Sequence, residues 1–514
     1  MTRRTGCDPA PRRTPHVVII GAGISGLGLG MALKRAGHQR FTIVEKADAI
    51  GGVWRDNTYP GAACDVPAHL YAYAREPHAW PGRYAGQPEI LSYLRRCADK
   101  YRLDTHLRLG TEIVRADFAE PEGRWLLHTT AGETIEADVL VPACGQLSRP
   151  RYPDIPGAEE FTGSAFHSAR WNHDHDLTGR SVAVIGTGAS AIQIVPHIAR
   201  QASHLTVFQR SAPHVVPRWD RIYPRHDRIA GRLAARAARW GWWLFNEVSI
   251  PGLTRRWPIS RLTTYGCSAQ LAQQVDDPQL RERLRPRDEP GCKRIGISSD
   301  YYPAFNAPHV ELVTEPITRI TGSGVRTGDG REHRADTIIY ATGFSATDFL
   351  SHVRITGRGG RTLQDAWRHG AHAYLGMAVP AFPNMFLLYG PHTNIGAGSV
   401  TYMVESQIRY ILDAVRILAS GQRRHLEVRP CVARAFAAEM RHRTRRTVWS
   451  TCRNWYRGPH GQVTTNWPGQ TAEYRRRTRR VKLAHYQPVP AGLPSPAEPL
   501  PRATPRIPVV RRTR

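Results

Sequence analysis

The sequence predicts an α/β fold with two separate β–α–β units, each framing a site the size of a dinucleotide. Three observations predict it. A β-branched run, a glycine-rich turn and a helical stretch follow one another at residues 16–46, and the same order returns at 179–211. The 514 residues leave room for about three domains and a large core. Hydrophobic residues make up 41%, which excludes a wholly disordered chain, and no apolar run is long enough to predict a transmembrane helix.

The elements follow in order. Residues 1–14 are polar and rich in proline and arginine; they predict disorder and lack the apolar stretch of a secretory signal. His16–Ile20 reads as a strand, Gly21–Gly26 as a turn, Leu27–Gly37 as a helix and Phe41–Lys46 as the next strand. Ser181–Ile185, residues 186–202 and His204–Arg210 repeat that order. A helix is expected over 228–250, with Trp240, Trp242, Trp243 and Phe245 close together. Glu247, Pro251 and Gly252 end the apolar stretch quickly, so these aromatics are expected to pack on the body or wall a channel rather than lie in a membrane interface. Strands are expected at 309–313 and 337–344, another buried strand ending in a turn at 381–391, and a helix at 404–419. From Tyr486 the last 29 residues hold eight prolines and predict a disordered tail.

The two turns differ in the residues that close the next strand. In the first, Gly21, Gly23 and Gly26 form GxGxxG: a tight turn, a close backbone approach to a pyrophosphate, and tight helix–strand packing. The helix N-terminus offers unpaired N–H groups to the anion. Glu45 closes the second strand, where a carboxylate accepts hydrogen bonds from ribose hydroxyls and repels a 2′-phosphate; FAD or NAD fits and NADP does not. In the second, Gly186, Gly188 and Ala191 form GxGxxA, and Gln209, Arg210 and Ser211 stand where the acid would be. A guanidinium and a hydroxyl suit a 2′-phosphate, which implies NADPH. Two such sites suggest hydride passing from NADPH to a flavin, with oxygen as the remaining acceptor.

Composition narrows the partners. The net charge is +28, but only five basic residues are lysines, and much of the arginine excess sits at the chain ends. That skew fits GC-rich coding DNA, and only non-specific polyanion binding is expected. Eight cysteines include no CxxC pair, which argues against a zinc ribbon or a thioredoxin-like redox pair; a reducing, cytoplasmic setting is expected, with no metal site and no disulfide needed to hold the core.

Four motifs carry a family resemblance across roughly residues 15–485. Phe161, Gly163, His167 and Trp171 read FxGxxxHxxxW, with Asn172 where proline or aspartate is usual. Residues 51–65, including Gly52, Val53, Trp54, Tyr59, Pro60, Gly61 and Asp65, read GGxWxxxxYPGxxxD. Lys293-Arg294 precede Asp300-Tyr301-Tyr302 and Phe305-Asn306, and Ala341–Phe344 spell ATGF. The set resembles the type I Baeyer–Villiger monooxygenases, sisters of the flavin-containing monooxygenases.

The resemblance implies two Rossmann-like dinucleotide-binding domains, the NADPH domain inserted in the FAD domain, plus a helical insertion. It divides the chain into an FAD domain at 15–150 and 349–485, an NADPH domain at 151–218 and 290–348, and the insertion at 219–289. It implies FAD and NADPH as cofactors, O2 as co-substrate, and oxygen insertion beside a ketone carbonyl through a C4a-peroxyflavin, giving an ester or lactone. Arg294 would be the fixed cation beside the peroxide and Asp65 the carboxylate that orients it. Gly52, Val53, Trp54 and Tyr71 would adjoin the flavin or nicotinamide. Gly186, Thr187, Gly188, Ala189 and Ser190 would hold NADPH, with Lys293 beside Arg210 and Ser211 on its 2′-phosphate. His167 would couple domain motion to cofactor binding rather than act as a base. The stretch 390–399 resembles a loop approaching the flavin, and 449–474 a C-terminal block expected to pack in the core. Two alternatives stay open: oxygenation of nitrogen or sulfur, and a non-catalytic flavin-bound or polyanion-binding role.

Overall fold

The computed structural model describes residues 14–223, 231–253, 258–458 and 460–488. The expected N-terminal disorder before Thr14 and the tail beyond residue 488 lie outside the described residues. Two all-parallel sheets carry the architecture. The first orders its strands β3–β2–β1–β4: β1 (Val17–Ile20), β2 (Phe41–Val44), β3 (Leu107–Arg108) and β4 (Val139–Pro142). Its crossover from β1 to β2 is helix α1 (Ile24–Arg35), whose face from Ser25 to Leu33 is buried. Burial on both faces explains why β1 and β4 are unbroken apolar runs rather than alternating ones.

The second sheet orders five parallel strands β8–β7–β6–β9–β5: β5 (Ser164–His167), β6 (Ser181–Ile185), β7 (His204–Phe208), β8 (Val310–Val313) and β9 (Thr337–Tyr340). Helix α2 (Ala189–Ile198) crosses from β6 to β7. The sheet is thus assembled from residues on both sides of the 219–289 segment. Within that segment lie α3 (Gly231–Ser249), α4 (Pro258–Gln274) and α5 (Pro278–Leu284). An antiparallel sheet of 113–119, 124–129 and 134–137, edged by 354–356, completes the first half. Helix α6 (Val400–Ala419) packs on α1 and buries Met403, Val404, Ile411 and Ala414 in the main core.

Three expectations need correction. Residues 381–391 are buried but form no strand: Phe386 N–H reaches Leu140 O (3.0 Å) and Leu388 N–H reaches Pro142 O (2.9 Å), while left-handed φ values at Ala381, Asn384 and Tyr389 break the pairing. Tyr486 belongs to the packed fold: it is buried and its hydroxyl meets that of Tyr410 at 2.7 Å. The aromatic group on α3 splits. Trp242 and Trp243 pack against the main core, whereas Trp240 and Phe245 are exposed.

Candidate functional site

The glycine-rich turns are built by contacts that tolerate no side chain. A Cβ on Gly26 would lie 1.9 Å from Gly21 O, inside any contact limit, so only glycine lets α1 seat on β1. Gly23 and Gly52 face each other so closely that a Cβ on Gly52 would meet Gly23 Cα at 3.1 Å. Gly52 also takes φ +54°, which glycine adopts without strain. Helix α1 is capped by Gly23, which has no side chain to satisfy its first N–H groups. This bare helix end, walled by two glycines, is a cradle a pyrophosphate fits. Glu45 is buried and accepts from Ala22 N at 2.8 Å and Ala47 N at 3.1 Å, with Arg55 Nη1 3.2 Å away. It therefore holds the turn itself, a job that the motif alone does not reveal.

In the second turn the close contact falls on Gly186, where a Cβ would lie 2.5 Å from Ala341 O; Gly188 caps α2 without a side-chain hydrogen bond and has open space, with nothing within 4 Å of where its Cβ would be. Thr187 Oγ1 donates to Ser211 O (2.9 Å), tying the turn to the end of β7. Lys293 Nζ donates to Ser211 Oγ (2.8 Å) and to Asp288 Oδ2 (2.5 Å). Lys293 and Ser211 thus come together as expected, and Arg210 is exposed next to them. Asp288, which the motif did not mark, holds the lysine.

The two units meet through residues 59–65. Gln193 on α2 accepts from Tyr59 OH (3.0 Å) and donates to Ala63 O (2.9 Å). Gly61, at φ +80°, passes so close to α2 that a Cβ would sit 2.6 Å from the His197 ring. This docking carries Asp65 across to Arg294, 229 positions away in sequence. Arg294 Nη2 donates to Asp65 Oδ1 at 2.6 Å, and Nε donates to Oδ2, a bidentate pair. The side chains are 29% and 23% exposed, so most of the pair is shielded and one side stays open. Burial alone would raise the Asp65 carboxyl, but the Arg294 charge and hydrogen bonds hold it below the usual range. Burial likewise opposes the Arg294 cation, and Asp65 more than offsets this, so the guanidinium is protonated more firmly than a free arginine.

The phenols of Tyr71, Tyr389 and Tyr456 lie within electrostatic reach of this pair. Trp54 Nε1 donates to Tyr71 OH at 2.8 Å, with the rings edge to face at 5.7 Å. Tyr389 and Tyr456 are electrostatic neighbours of Arg294, and burial pushes the Tyr456 phenol up to about 12. Tyr389 OH donates to Asn394 Oδ1 (2.7 Å), and Asn394 Nδ2 to Asn466 Oδ1 (2.7 Å). These residues come from the 390–399 loop and its approach, and from the C-terminal block, where the motifs assign no chemistry. One cross-link was not anticipated from cysteine spacing: Cys292 and Cys452 form a disulfide, Cα–Cα 6.3 Å, across 160 positions. It ties the residue before Lys293 to the block that carries Tyr456.

His167 has both ring nitrogens engaged. Nε2 donates to Gly343 O (3.0 Å) and Nδ1 accepts from Ala169 N (3.1 Å). Burial lowers its proton affinity. It joins the FxGxxxHxxxW segment to ATGF and has no nitrogen left for proton transfer.

Comparison with known proteins agrees with this fold. The family described as Pyridine nucleotide-disulphide oxidoreductase matches residues 18–223. A Baeyer-Villiger monooxygenase of Streptomyces coelicolor is 42% identical over 486 residues, 93% of this chain and 93% of that protein. A solved oxidized steroid monooxygenase bound to NADP superposes with a TM-score of 0.82 at 32% identity, covering 90% of this chain and 97% of that one. OTEMO in complex with FAD and NADP does so at 0.83 and 28% identity, covering 91% and 97%. At 42% identity over 93% of both chains, this protein belongs to the Baeyer–Villiger monooxygenase family.

Proposed function

We propose that this protein uses NADPH and O2 to insert one oxygen atom between the carbonyl carbon of a ketone and a neighbouring carbon, giving an ester or lactone, NADP+ and water. The observation that carries this reading is the Asp65–Arg294 pair, brought together from both nucleotide-binding units. Gly21, Gly23, Gly26, Gly52 and Val53 would hold FAD, with Trp54 and Tyr71 beside its ring. Gly186, Thr187, Gly188, Ala189 and Ser190 would hold NADPH, with Lys293, Arg210 and Ser211 on the 2′-phosphate and Asp288 aiming the lysine. FAD, when bound and reduced, supplies the activated dioxygen.

The rest is the work of the chain's own groups. Arg294 cannot give up its proton at working pH, so it does not quench a nucleophilic oxygen by protonating it. Its N–H groups instead attract negative charge on the carbonyl oxygen as the tetrahedral adduct forms. Asp65 fixes the plane of the guanidinium, so no reorganisation is needed at that moment. An oxygenation of sulfur or nitrogen uses a protonated, electrophilic oxygen and gains nothing from a permanent cation.

The test is competitive incubation with a ketone and a thioether under NADPH and air. Ester formation from the ketone is expected. Sulfoxide without ester overturns the reading.

A further inference from the structure

Helix α3 is firmly anchored on its inward side. There Trp242 and Trp243 pack on the core, Arg239 Nη1 donates to Leu70 O (2.8 Å), its Nη2 pairs with Glu405 (2.8 Å), and buried Glu247 accepts from Thr471 N (2.8 Å). Trp243 Nε1 adds a bond to Thr471 Oγ1 (3.1 Å). The outward stripe is apolar: Leu233, Trp240, Leu244, Phe245 and Val248 are 79%, 64%, 48%, 59% and 58% exposed. Ala237 and Gly241 extend the same stripe at helical spacing and are exposed too. Scattered exposed apolar residues need no explanation, but a contiguous row on an anchored helix marks an interaction surface.

Charge selects the occupant. From Arg218 to Tyr265 the chain carries ten arginines against three acids; Glu247 is buried, Arg239 is neutralised by Glu405 and Arg218 by Asp220, and a basic excess remains. Arg236 and Arg261 are exposed. A second copy of this chain would set positive against positive, which disfavours a self-complementary interface. Among the described residues no helix is long and apolar enough to cross a membrane. An apolar row with aromatic residues and an exposed arginine on the same helix, in a segment of basic excess, suits a helix lying in the plane of a bilayer.

We propose that the outward face of α3 docks on a lipid surface bearing anionic headgroups. Leu244, Phe245 and Val248 enter the headgroup–acyl boundary, Trp240 sits at headgroup level, and the arginines draw the face to the negative leaflet. Trp240 is backed by Trp243 at 5.2 Å, and Trp243 by Tyr402 at 5.8 Å, so the face is presented rigidly.

The test uses the full-length, FAD-loaded protein and sedimentation with phosphatidylcholine vesicles, with and without phosphatidylglycerol. Binding is expected only with phosphatidylglycerol and is expected to weaken as salt rises. Leu244→Glu/Phe245→Glu should weaken it by at least about tenfold. Arg236→Glu/Arg261→Glu should weaken it as well. All three proteins should turn over a water-soluble ketone at the same rate. Absence of binding, equal binding to both vesicle types, equal binding by the Leu244/Phe245 variant, or a dimer in ultracentrifugation that this variant dissolves would each overturn the proposal.

Discussion

Replacing Arg294 by alanine should separate the two halves of the reaction. The arginine meets Asp65 through two nitrogens, one contact at 2.6 Å, with the side chains 29% and 23% exposed. Removing one partner of a wholly buried pair costs about 3–5 kcal/mol and of an exposed pair about 0.2–1 kcal/mol. A pair shielded to this degree falls between them, at about 2–3 kcal/mol of folding stability. The catalytic loss is separate. Taking away one preorganised group that faces a developing oxyanion costs about 10²–10³ in kcat. Ester formation in Arg294→Ala should drop by that factor. NADPH should still bleach the flavin under anaerobic conditions at close to the wild-type rate, because the second glycine-rich turn, Lys293 and Ser211 are untouched. In air, NADPH oxidation should then end as hydrogen peroxide instead of ester, which a peroxide assay quantifies.

A double-mutant cycle sharpens the reasoning. Asp65 acts on the reaction only through Arg294, so Asp65→Ala should lose part of the rate, and adding it to Arg294→Ala should lose no more. Ester formation by Arg294→Ala within about tenfold of wild type would refute the electrostatic role. So would a double variant slower than Arg294→Ala by the full factor that Asp65→Ala shows alone.

Three further outcomes are expected. Lys293→Ala and Arg210→Ala should raise the KM for NADPH far more than that for NADH, with Lys293 the larger because it is the residue fixed on Ser211; an unchanged preference in both would remove the phosphate assignment. Cys452→Ser opens a link across 160 positions, which chain entropy values at up to about 5 kcal/mol, so a dithiol should lower the urea midpoint of the wild type to that of the variant and leave the variant unmoved. Burial holds the His392 imidazole down to about 4, against 6.5 unfolded, so the unfolded chain binds the extra proton between those values: stability should fall as pH drops from 6.5 towards 4, by about 3 kcal/mol from this group, and thermal melts of His392→Asn should show a shallower slope.

The nucleotide cradles were legible because their motif is the absence of a side chain. The 1.9 Å approach at Gly26 leaves one residue type that fits, so spacing alone reveals the geometry. Asp65 and Arg294 were legible only through resemblance, since nothing local marks two residues 229 positions apart as partners. The Cys292–Cys452 link was not legible for the same reason: pairing depends on where the C-terminal block returns in space. The 381–391 segment misled because buried apolar runs look like strands, whereas left-handed residues such as Asn384 interrupt the ladder. Periodicity marked α3 as a helix but could not say which face turns inward. That was decided by distant partners, Glu405 for Arg239 and Thr471 for Glu247.

Three consecutive residues show why the site cannot be divided between the two units. Cys292 is bonded to the block carrying Tyr456, Lys293 turns to Ser211 at the end of β7, and Arg294 turns to Asp65 on the segment after Gly52. One short stretch of backbone therefore links the end of β7, the carboxylate of Asp65 and the C-terminal aromatic group. Both cations extend from backbone that the disulfide anchors one residue earlier, so the contacts to Ser211 and to Asp65 share a single anchor and neither could be built from one unit alone.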